Sequence, residues 1–438
     1  MTFLAQSRFA GLAPSLVFAA FLAMAGCATG GNQPPAPIST GNTRVDPRPQ
    51  PPTPDESDEL SSLHDGTDLT DFGNLEPEKP GVFTPEFMTP GKVVRAAVLL
   101  PFSHPNSGVR AEAEGMLAGI EMALFDHGGD NFLLLPKDTS GSQSTTLEVA
   151  EEAREEGANI FLGPLFGANI SALNKAGLGA DTQIIGFSND RDVAGGNTWL
   201  ASITPEEEVA ALVNYAMSKG YRQFAFFGPQ SALGTRIETA LRYEANKAGA
   251  RVAASGFYPT STTSPNSEAT YVAKAINSAQ QTGGPVAVLI PERGTQLRRV
   301  APLLAYYGMS RSAKMMGLSD WDDDSVFREP SLRGSWFVAP PKSDLNSFAT
   351  RYNRIYGRAP SSLAAEAYDA AALAIQLAAD GKIEREELMA PDGFYGMNGL
   401  FRFTPDGTTQ RRLSIYEISP SGASEIKAAE DSFDPGIG

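Results

Sequence analysis

Cysteine and histidine are scarce in this sequence. Its 438 residues include one cysteine, Cys27, and three histidines, His64, His104 and His127. A single cysteine cannot build a disulfide framework, and so few thiol and imidazole groups do not supply the ligands of a zinc site. We therefore expect no disulfide and no metal.

Basic residues are also few relative to acidic ones. Lys and Arg number 35 against 51 Asp and Glu, so the formal net charge is -16. Proteins that bind nucleic acid neutralise its phosphates with Lys and Arg. This charge balance argues against a nucleic-acid partner.

Familiar hydrolase motifs are missing. The sequence has neither a Gly-x-Ser-x-Gly elbow nor a His-Glu-x-x-His motif. The Ser-x-x-Lys spacing of penicillin-binding enzymes occurs at Ser424–Lys427, but without the Ser-Asp-Asn and Lys-Thr-Gly partners. His104 could serve as a lone base, although a histidine on a surface loop is the favoured interpretation. We expect no enzymatic activity and no cofactor.

Residues 1–26 have the features of an export signal. Arg8 supplies a positive charge, an apolar stretch runs from Leu12 to Met24, and two small residues precede Cys27. An amino-terminal segment of this kind predicts export from the cytoplasm.

The end of this signal resembles the lipobox of bacterial lipoproteins, although Met24 stands where leucine is usual. The resemblance implies that Cys27 becomes the acylated amino terminus and anchors the protein to a membrane. Ala28 in place of aspartate implies an outer-membrane protein that faces the periplasm, rather than an inner-membrane one. The alternative is an ordinary buried or free cysteine.

Residues 27–90 have the composition of a disordered tether. From residue 28 to residue 90 there are 12 prolines and 11 acidic residues against three basic ones. Such a segment cannot bury enough apolar surface to fold. We expect it to be either a leash for the folded body or a passive spacer.

The segment from Val94 to Leu124 predicts a buried strand followed by an amphipathic helix. Val94 to Phe102 is almost wholly apolar, as in a central strand of a parallel sheet. Apolar residues then recur from Ala113 to Leu124 at helical spacing. This alternation of strand and helix repeats along the chain and predicts an α/β fold.

Two capping boxes predict where helices begin. Thr145 is followed three residues later by Glu148, and Thr204 is followed by Pro205 and Glu207. In this pattern the hydroxyl and the carboxylate each accept a hydrogen bond from a free backbone N–H. We therefore expect helices to start at these two places.

Polar residues and glycines follow the ends of several predicted strands. Open α/β sheets bind ligands at the carboxyl ends of their strands. We expect these residues to line one groove for a small ligand or a protein partner. Its predicted lining is Ser103, His104, Gly163, Leu165, Gly167, Ser188, Asn189 and Asp190 on one side and Gln230, Ser231 and Trp321 on the other.

An acidic run surrounds the last of these residues. A calcium loop that began at Asp320 would have Val326 where glycine is needed and Ser331 where glutamate is needed. A solvated acidic loop is the better interpretation. Trp321 would either stack on a ligand or partner or form an apolar lid over its own lobe.

Six motifs occur in order along the folded part of the chain. They are LLPFS at 99–103, GMLAGIEMAL at 115–124, LGPL at 162–165, ITPEEEVAAL at 203–212, EAYDAAAL at 366–373 and GLFRFTPDG at 399–407. Their order and spacing resemble the type 1 periplasmic binding proteins, the group of branched-chain amino-acid receptors. The resemblance implies two Rossmann-like lobes joined by three crossovers, which we place near Ile203, Ala339 and Gly399.

The same resemblance divides the chain. Residues 91–203 form the first part of lobe 1 and 204–339 the first part of lobe 2. Residues 340–398 return to lobe 1, residues 399–420 return to lobe 2 as terminal strands, and 421–438 form a polar tail.

The ligand motif departs from that of amino-acid receptors. Where they carry a carboxylate-binding serine, this chain has Gly167, and a Ser-Ala-Thr-like stretch is replaced by Gly186–Asp190. An anchor, a tether and an altered receptor fold together resemble the lipoprotein activators of penicillin-binding proteins, although the well-known members of that group carry an amino-terminal helical-repeat domain where we expect only the tether. The favoured hypothesis is such a regulator of a penicillin-binding synthase, and the alternative is the solute-binding lipoprotein of an ABC importer.

Overall fold

The computed structural model describes residues 82, 84–88, 92–262, 264–378, 381 and 383–433. The predicted signal, Cys27 and nearly all of the predicted tether lie outside the described residues. None of the helices within the described ranges is long and apolar enough to span a bilayer.

A five-stranded parallel sheet forms the centre of lobe 1, in the order β2-β1-β3-β4-β5. Strand β1 lies inside the sheet, between β2 and β3, and is fully buried because helices cover both faces. The strands are β1 (Val94–Leu100), β2 (Phe132–Asp138), β3 (Ile160–Leu162), β4 (Gln183–Gly186) and β5 (Thr198–Leu200).

Six helices belong to this lobe. They are α1 (Ser107–His127), α2 (Gln143–Glu155), α3 (Gly167–Lys175), α9 (Lys342–Tyr356), α10 (Ser362–Leu377) and the short α11 (Arg385–Leu388). The alanine-rich α10 packs directly on α1, where a Cβ on Gly119 would lie 2.2 Å from the carbonyl oxygen of Ala364. Small residues on both helices allow this close approach.

Lobe 2 contains a seven-stranded sheet in the order β15-β14-β10-β9-β8-β6-β7. Five neighbouring strands, from β10 to the edge strand β7, are parallel, and β14 and β15 add to the other edge in antiparallel pairing. The strands are β6 (Gln223–Gln230), β7 (Arg251–Pro259), β8 (Val286–Leu289), β9 (Lys314–Gly317), β10 (Trp336–Ala339), β14 (Ser414–Ser419) and β15 (Gly422–Lys427).

The helices of lobe 2 cover both faces of that sheet, so two apolar cores form, one on each side. They are α4 (Pro205–Ser218), α5 (Ala232–Lys247), α6 (Asn266–Gly283), α7 (Gly294–Tyr306) and α8 (Asp324–Phe327). A separate three-stranded antiparallel sheet joins β11 (Phe394–Gly396), β12 (Gly399–Phe403) and β13 (Thr409–Arg411).

One of the two predicted capping boxes is present. Thr204 Oγ1 accepts a hydrogen bond from the Glu207 backbone N–H, and the Glu207 carboxylate accepts one from the Thr204 N–H. The prediction for Thr145 was wrong, because α2 begins one turn earlier and Ser142 is its cap. A serine three residues upstream provides the same hydroxyl acceptor as threonine, so the spacing alone did not distinguish them.

The chain crosses between the lobes three times, as the resemblance to the type 1 periplasmic binding proteins implied. The first two crossings lie at 201–204 and 340–341, close to the predicted positions. The third lies at Arg412–Leu413 and not near Gly399. β12 first pairs with β13, and its Phe401 and Phe403 pack in the core of lobe 1.

The predicted polar tail is also partly wrong. Residues 422–427 form β15, which pairs with β14 at the edge of the lobe 2 sheet. This edge strand has no buried residue and its last four residues are all exposed, so the sequence carries no apolar alternation that would mark it as a strand.

Candidate functional site

A cleft of about 1190 Å³ lies between the carboxyl ends of the parallel strands of the two lobes. Lobe 1 contributes the segments after β3 and β4 and the start of α10, and lobe 2 contributes the segments after β8 and β9 and the first turns of α5. Two crossings form its base, at Ser202–Ile203 and Ala339–Pro340. This is the position at which an open α/β sheet binds ligands.

Four of the predicted groove residues line this cleft, namely Leu165, Gly167, Ser188 and Asn189. Ser188 Oγ accepts a hydrogen bond from the Asp190 backbone N–H at 3.1 Å. A Cβ on Gly167 would lie only 3.0 Å from Ser188 Oγ. A serine in place of Gly167 would therefore crowd Ser188. The absence of a side chain at Gly167 leaves room for Ser188 in the segment after β4.

Asn189 also links the two lobes. Arg236 on α5 donates a hydrogen bond of 2.5 Å from Nη2 to the Asn189 carbonyl oxygen. The same guanidinium pairs with Glu206 of α4, with 2.5 Å between Nε and Oε1. Asp190 lies outside the cleft lining, and its carboxylate accepts a hydrogen bond from the Asp192 backbone N–H.

The predicted residues after β1 are engaged elsewhere. Ser103 donates its backbone N–H to Asp138 Oδ1 at 3.1 Å, and His104 Nδ1 accepts the Asn106 backbone N–H at 3.1 Å. The His104 ring packs against Phe166, with 5.8 Å between ring centroids. Neither Ser103 nor His104 lines the cleft.

Gly163 serves the turn rather than the cleft surface. Its φ is +113°, and a Cβ at this position would lie 2.3 Å from the Leu99 carbonyl oxygen. Its backbone N–H donates to the carbonyl oxygen of Ile185. Because no other residue fits this backbone, Gly163 sets the path that brings Leu165 to the cleft.

Gln230 and Ser231 also lie outside the cleft lining. Ser231 caps α5 by accepting a hydrogen bond from the Gly234 backbone N–H at 3.0 Å. The next turn of the same helix brings Leu233 and Ile237 to the cleft instead.

Trp321 takes the second of its two predicted roles. Its side chain is fully buried in lobe 2 and its Nε1 donates to the Glu292 carbonyl oxygen at 3.1 Å. A Cβ on Gly317 would lie 1.9 Å from the indole, so the ring packs flat on the end of β9. The indole is an apolar lid over its own lobe, and its neighbours Asp320 and Asp322 face the cleft.

The acidic residues around Trp321 each have a local partner. Arg293 Nη1 lies 3.8 Å from Asp320 Oδ1, and Lys342 Nζ lies 2.5 Å from Asp322 Oδ1. Asp323 accepts a hydrogen bond from the Ser325 backbone N–H and caps α8. Within the described ranges, no group of three or more His, Cys, Asp or Glu side chains is arranged to hold a metal ion.

Two buried glutamates at the base of the cleft were missed by the sequence reasoning. Glu208 on α4 is 6% exposed and Glu366 on α10 is 5% exposed, and both line the cleft. Burial raises the pKa of each to about 7. The Ser319 backbone N–H donates a hydrogen bond of 2.7 Å to Glu208 Oε1, which lowers the pKa of Glu208. The negative charges of nearby Asp320 and Glu207 raise it.

Glu366 has an incomplete set of partners. The Arg411 guanidinium, Ser202 and the Ile203 backbone stabilise its charge, while Asp369 opposes it. Among the described residues, no donor reaches its Oε2. The sequence did contain a signal for this site. Glu366 and Asp369 lie on the same face of an alanine-rich helix, and acidic residues on a buried helix face are rare enough to indicate a special role.

The cleft is therefore acidic. Its carboxylates are Glu208, Glu366, Asp320, Asp322 and Asp323, whereas Arg293 is the basic residue among its lining residues. Charge of this sign attracts a cation and disfavours a carboxylate. Apolar side chains on both walls leave room for a hydrocarbon portion, namely Leu165, Phe166, Phe187, Leu233, Leu318 and Leu363.

Two α/β lobes, three crossings and a cleft at facing strand ends define a bilobal binding protein. A model of the periplasmic binding protein family matches residues 93–423, more than half of the chain, and the chain belongs to this family. No curated protein sequence matches the chain significantly.

Solved structures with this fold include both transport and regulatory proteins. A putative branched-chain amino acid ABC transporter protein from Rhodospirillum rubrum has a TM-score of 0.67 at 17% identity, covering 76% of this chain and 100% of its own. The C-domain of LpoA from Haemophilus influenzae, described as a regulator of PBP1A, has a TM-score of 0.60 at 16% identity, covering 76% and 99%.

Full-length Haemophilus influenzae LpoA is similar at a TM-score of 0.61 and 16% identity, over 76% of this chain. The match spans 59% of the LpoA chain. Identities this low establish a shared fold, and the fold class predicted from the sequence is thereby confirmed.

Proposed function

We propose that this protein is a non-catalytic lipoprotein, facing the periplasm from the outer membrane, that regulates a penicillin-binding synthase during peptidoglycan synthesis. The observation that carries the proposal is the charge of the cleft. Five carboxylates and one arginine line it, and Gly167, where amino-acid receptors carry a carboxylate-binding serine, has no hydroxyl. A free amino acid would bring a carboxylate into a surface of five carboxylates, where the single arginine, Arg293, already pairs with Asp320.

The structural similarity to LpoA supports a regulatory role, since that protein is described as a regulator of PBP1A. The lipobox-like sequence at Cys27 and the Pro-rich segment after it agree with an anchored protein that reaches a membrane enzyme. Uptake of a solute is the second candidate. It is favoured by the open cleft and by the unpartnered Oε2 of Glu366.

Capture of a partner separates these candidates. We expect the full-length protein, used as bait on detergent-solubilised membranes of its host, to retain a penicillin-binding synthase that a fluorescent β-lactam labels. Calorimetry of the same preparation with leucine, isoleucine or valine at micromolar concentrations should show no binding. Tight amino-acid binding together with recovery of a permease would reverse the order of the candidates.

The anchor is tested separately. Cys27→Ser should abolish acylation and leave the protein uncleaved or released from membranes, because serine has no thiol to modify. Metabolic labelling with a fatty-acid probe, followed by membrane fractionation, measures this. Equal labelling of the wild type and the variant would contradict lipid attachment at Cys27.

A further inference from the structure

We propose that the end of lobe 2 farthest from the cleft is a docking surface for a membrane of anionic phospholipid. The parallel strands β6 to β10 all begin at this end, and the helices α4 to α7 end there. A membrane within reach is the one element taken from the proposed function. The surface, which we call the basic end of lobe 2, consists of the connections that lead into the five strands, residues 218–223, 247–251, 281–286, 307–314 and 332–336.

The charge of these connections is unlike that of the chain as a whole. They contain seven basic residues and no acidic one, although the sequence has 51 acidic residues against 35 basic ones. The seven are Lys219, Arg222, Lys247, Arg251, Arg311, Lys314 and Arg333. One basic and three acidic residues occur in the corresponding connections of lobe 1, which are residues 92–94, 128–132, 156–160, 176–183 and 194–198.

The basic side chains are exposed and mostly unpaired. Six of the seven residues are exposed, and Lys314 is half-buried. Lys247 Nζ lies 3.2 Å from Glu244 Oε2, and Lys314 Nζ lies 3.5 Å from Glu417 Oε2. The other five form no ion pair with a described residue. An external anion can therefore supply their counter-charge.

Helix ends account for only part of this charge. Lys and Arg are favoured at the carboxyl end of a helix, where the backbone carbonyls carry partial negative charge. Lys219 and Lys247 follow this rule, because they lie at the ends of α4 and α5. The remaining five residues lie at or just before the starts of strands, where no helix end requires a cation.

The charge is spread across the whole end of the lobe. Basic residues precede or begin four of the five strands, in the spatial order β10, β9, β6 and β7 with β8 in the middle. Neighbouring strands lie about 4.8 Å apart, so the row of five is about 19 Å wide. None of the seven residues lines the interlobe cleft. A row of this width fits the extended charge of a bilayer surface better than one small anion.

Exposed tyrosines border the same end. Tyr306 is the last residue of α7 and is 80% exposed, and Tyr243 near the end of α5 is 64% exposed. Tyrosine is enriched at the headgroup level of bilayers, because its ring is apolar and its hydroxyl is polar. An acidic protein partner fits less well, since the centre of a protein interface is apolar and depleted in lysine.

The acidic cleft does not oppose this docking. The eight-residue strand β6 separates the two ends of lobe 2 by about 26 Å. The Debye length is about 8 Å at physiological ionic strength, so the cleft carboxylates are screened from a bilayer at the opposite end. A lobe that rests on its basic end therefore holds the cleft away from the membrane.

The test is partition of the full-length protein onto vesicles of phosphatidylcholine with and without phosphatidylglycerol. The ratio of the two partition coefficients cancels any contribution of the amino-terminal segment that does not depend on lipid charge. We expect a strong preference for the anionic vesicles. This preference should be lost as the salt concentration rises from about 0.05 M to about 0.5 M.

A double variant locates the surface. Each Lys or Arg near an anionic bilayer increases partition by about 5-fold, so Arg311→Gln with Arg333→Gln should lower the ratio by about 25-fold. The matched control is Arg154→Gln with Arg354→Gln, which changes the net charge equally at two exposed arginines of lobe 1. This control should leave the ratio unchanged. Circular dichroism shows whether each variant is folded.

Lysine acylation by a water-soluble reagent, read by mass spectrometry, reports the orientation. Anionic vesicles should slow the acylation of Lys219 and Lys247 several-fold. Lys175, which is exposed on α3 of lobe 1, should react at the same rate with and without vesicles.

Equal partition of the wild type onto both kinds of vesicle would overturn the proposal. An equal loss in the two double variants would also overturn it, because net charge alone would then explain the binding. If Arg311→Gln with Arg333→Gln no longer captures the synthase but partitions like the wild type, the basic end binds a protein instead. Capture of the synthase by a protein without any lipid preference would refute the docking surface and leave the proposed function standing.

Discussion

Two buried carboxylates on one face of α10 have opposite surroundings. Asp369 is 3% exposed and accepts three hydrogen bonds, from the Met397 N–H at 2.6 Å, the Asn398 N–H at 3.0 Å and Asn398 Nδ2 at 2.8 Å. Glu366, one turn earlier and 5% exposed, has an oxygen that no described residue contacts as a donor. The two carboxylates are therefore similarly buried, but both oxygens of Asp369 accept hydrogen bonds, whereas Oε2 of Glu366 accepts none from the described residues.

The difference indicates two roles. Asp369 holds the connection between β11 and β12 against α10, since two of its donors are backbone N–H groups that would otherwise be buried without a partner. Glu366 lines the cleft, and its Oε2 is buried without a hydrogen-bond donor from the described residues, so its charged form is less well stabilised than that of Asp369. Removing each carboxylate should consequently have different effects on stability.

The largest effect is expected at Asp369. Asp369→Ala leaves three donors without an acceptor and should lower the free energy of unfolding by about 3 to 5 kcal/mol. Urea denaturation followed by circular dichroism measures this, with Glu151→Ala on the exposed face of α2 as the matched control. A cost below about 1 kcal/mol would contradict the structural role of Asp369.

A smaller effect, of opposite sign, is expected at Glu366. Its pKa is raised from 4.5 to about 7 in the folded protein, so the unfolded chain ionises first as the pH rises. The free energy of unfolding therefore decreases between about pH 4.5 and pH 7. Glu366→Gln removes this contribution and should be more stable than the wild type by about 1 to 3 kcal/mol at pH 8.

Urea denaturation at pH 5 and at pH 8 measures the second effect. Glu208 retains its raised pKa in the Glu366→Gln variant, so part of the pH dependence should persist. An unchanged difference in stability between the two pH values would mean that Glu366 does not titrate in this range. The comparison with Asp369 would then lose its physical basis.

The α/β class and many element positions could be predicted because they depend on local patterns. The apolar run Val94–Leu100 became the fully buried inner strand β1, and Thr204 with Glu207 forms the predicted capping box. The helix start near Thr145 was misplaced because several hydroxyl residues compete for the cap of α2. β15 was missed because an exposed edge strand carries no continuous apolar signal.

The cleft was predicted in position but only partly in residues. Leu165, Gly167, Ser188 and Asn189 line it because strand ends of one parallel sheet meet at one edge. Two other predicted residues lie outside the cleft lining, since the Ser103 backbone N–H donates to Asp138 Oδ1 at the end of β2 and Ser231 caps α5. Which side of a loop faces a cleft depends on turn geometry, which local sequence does not determine.

By itself, the sequence determined the repeating strand and helix pattern and the acidic balance, because composition and periodicity act locally, whereas the departure at Gly167 is visible only through the resemblance to amino-acid receptors. The tertiary structure alone decided that Trp321 packs on Gly317 inside its lobe and that Glu208 and Glu366 meet the same cleft. These two glutamates are 158 positions apart by their numbers in the chain. Their burial, their raised pKa values and the free oxygen of Glu366 arise from the packing of three crossings, which no local pattern records.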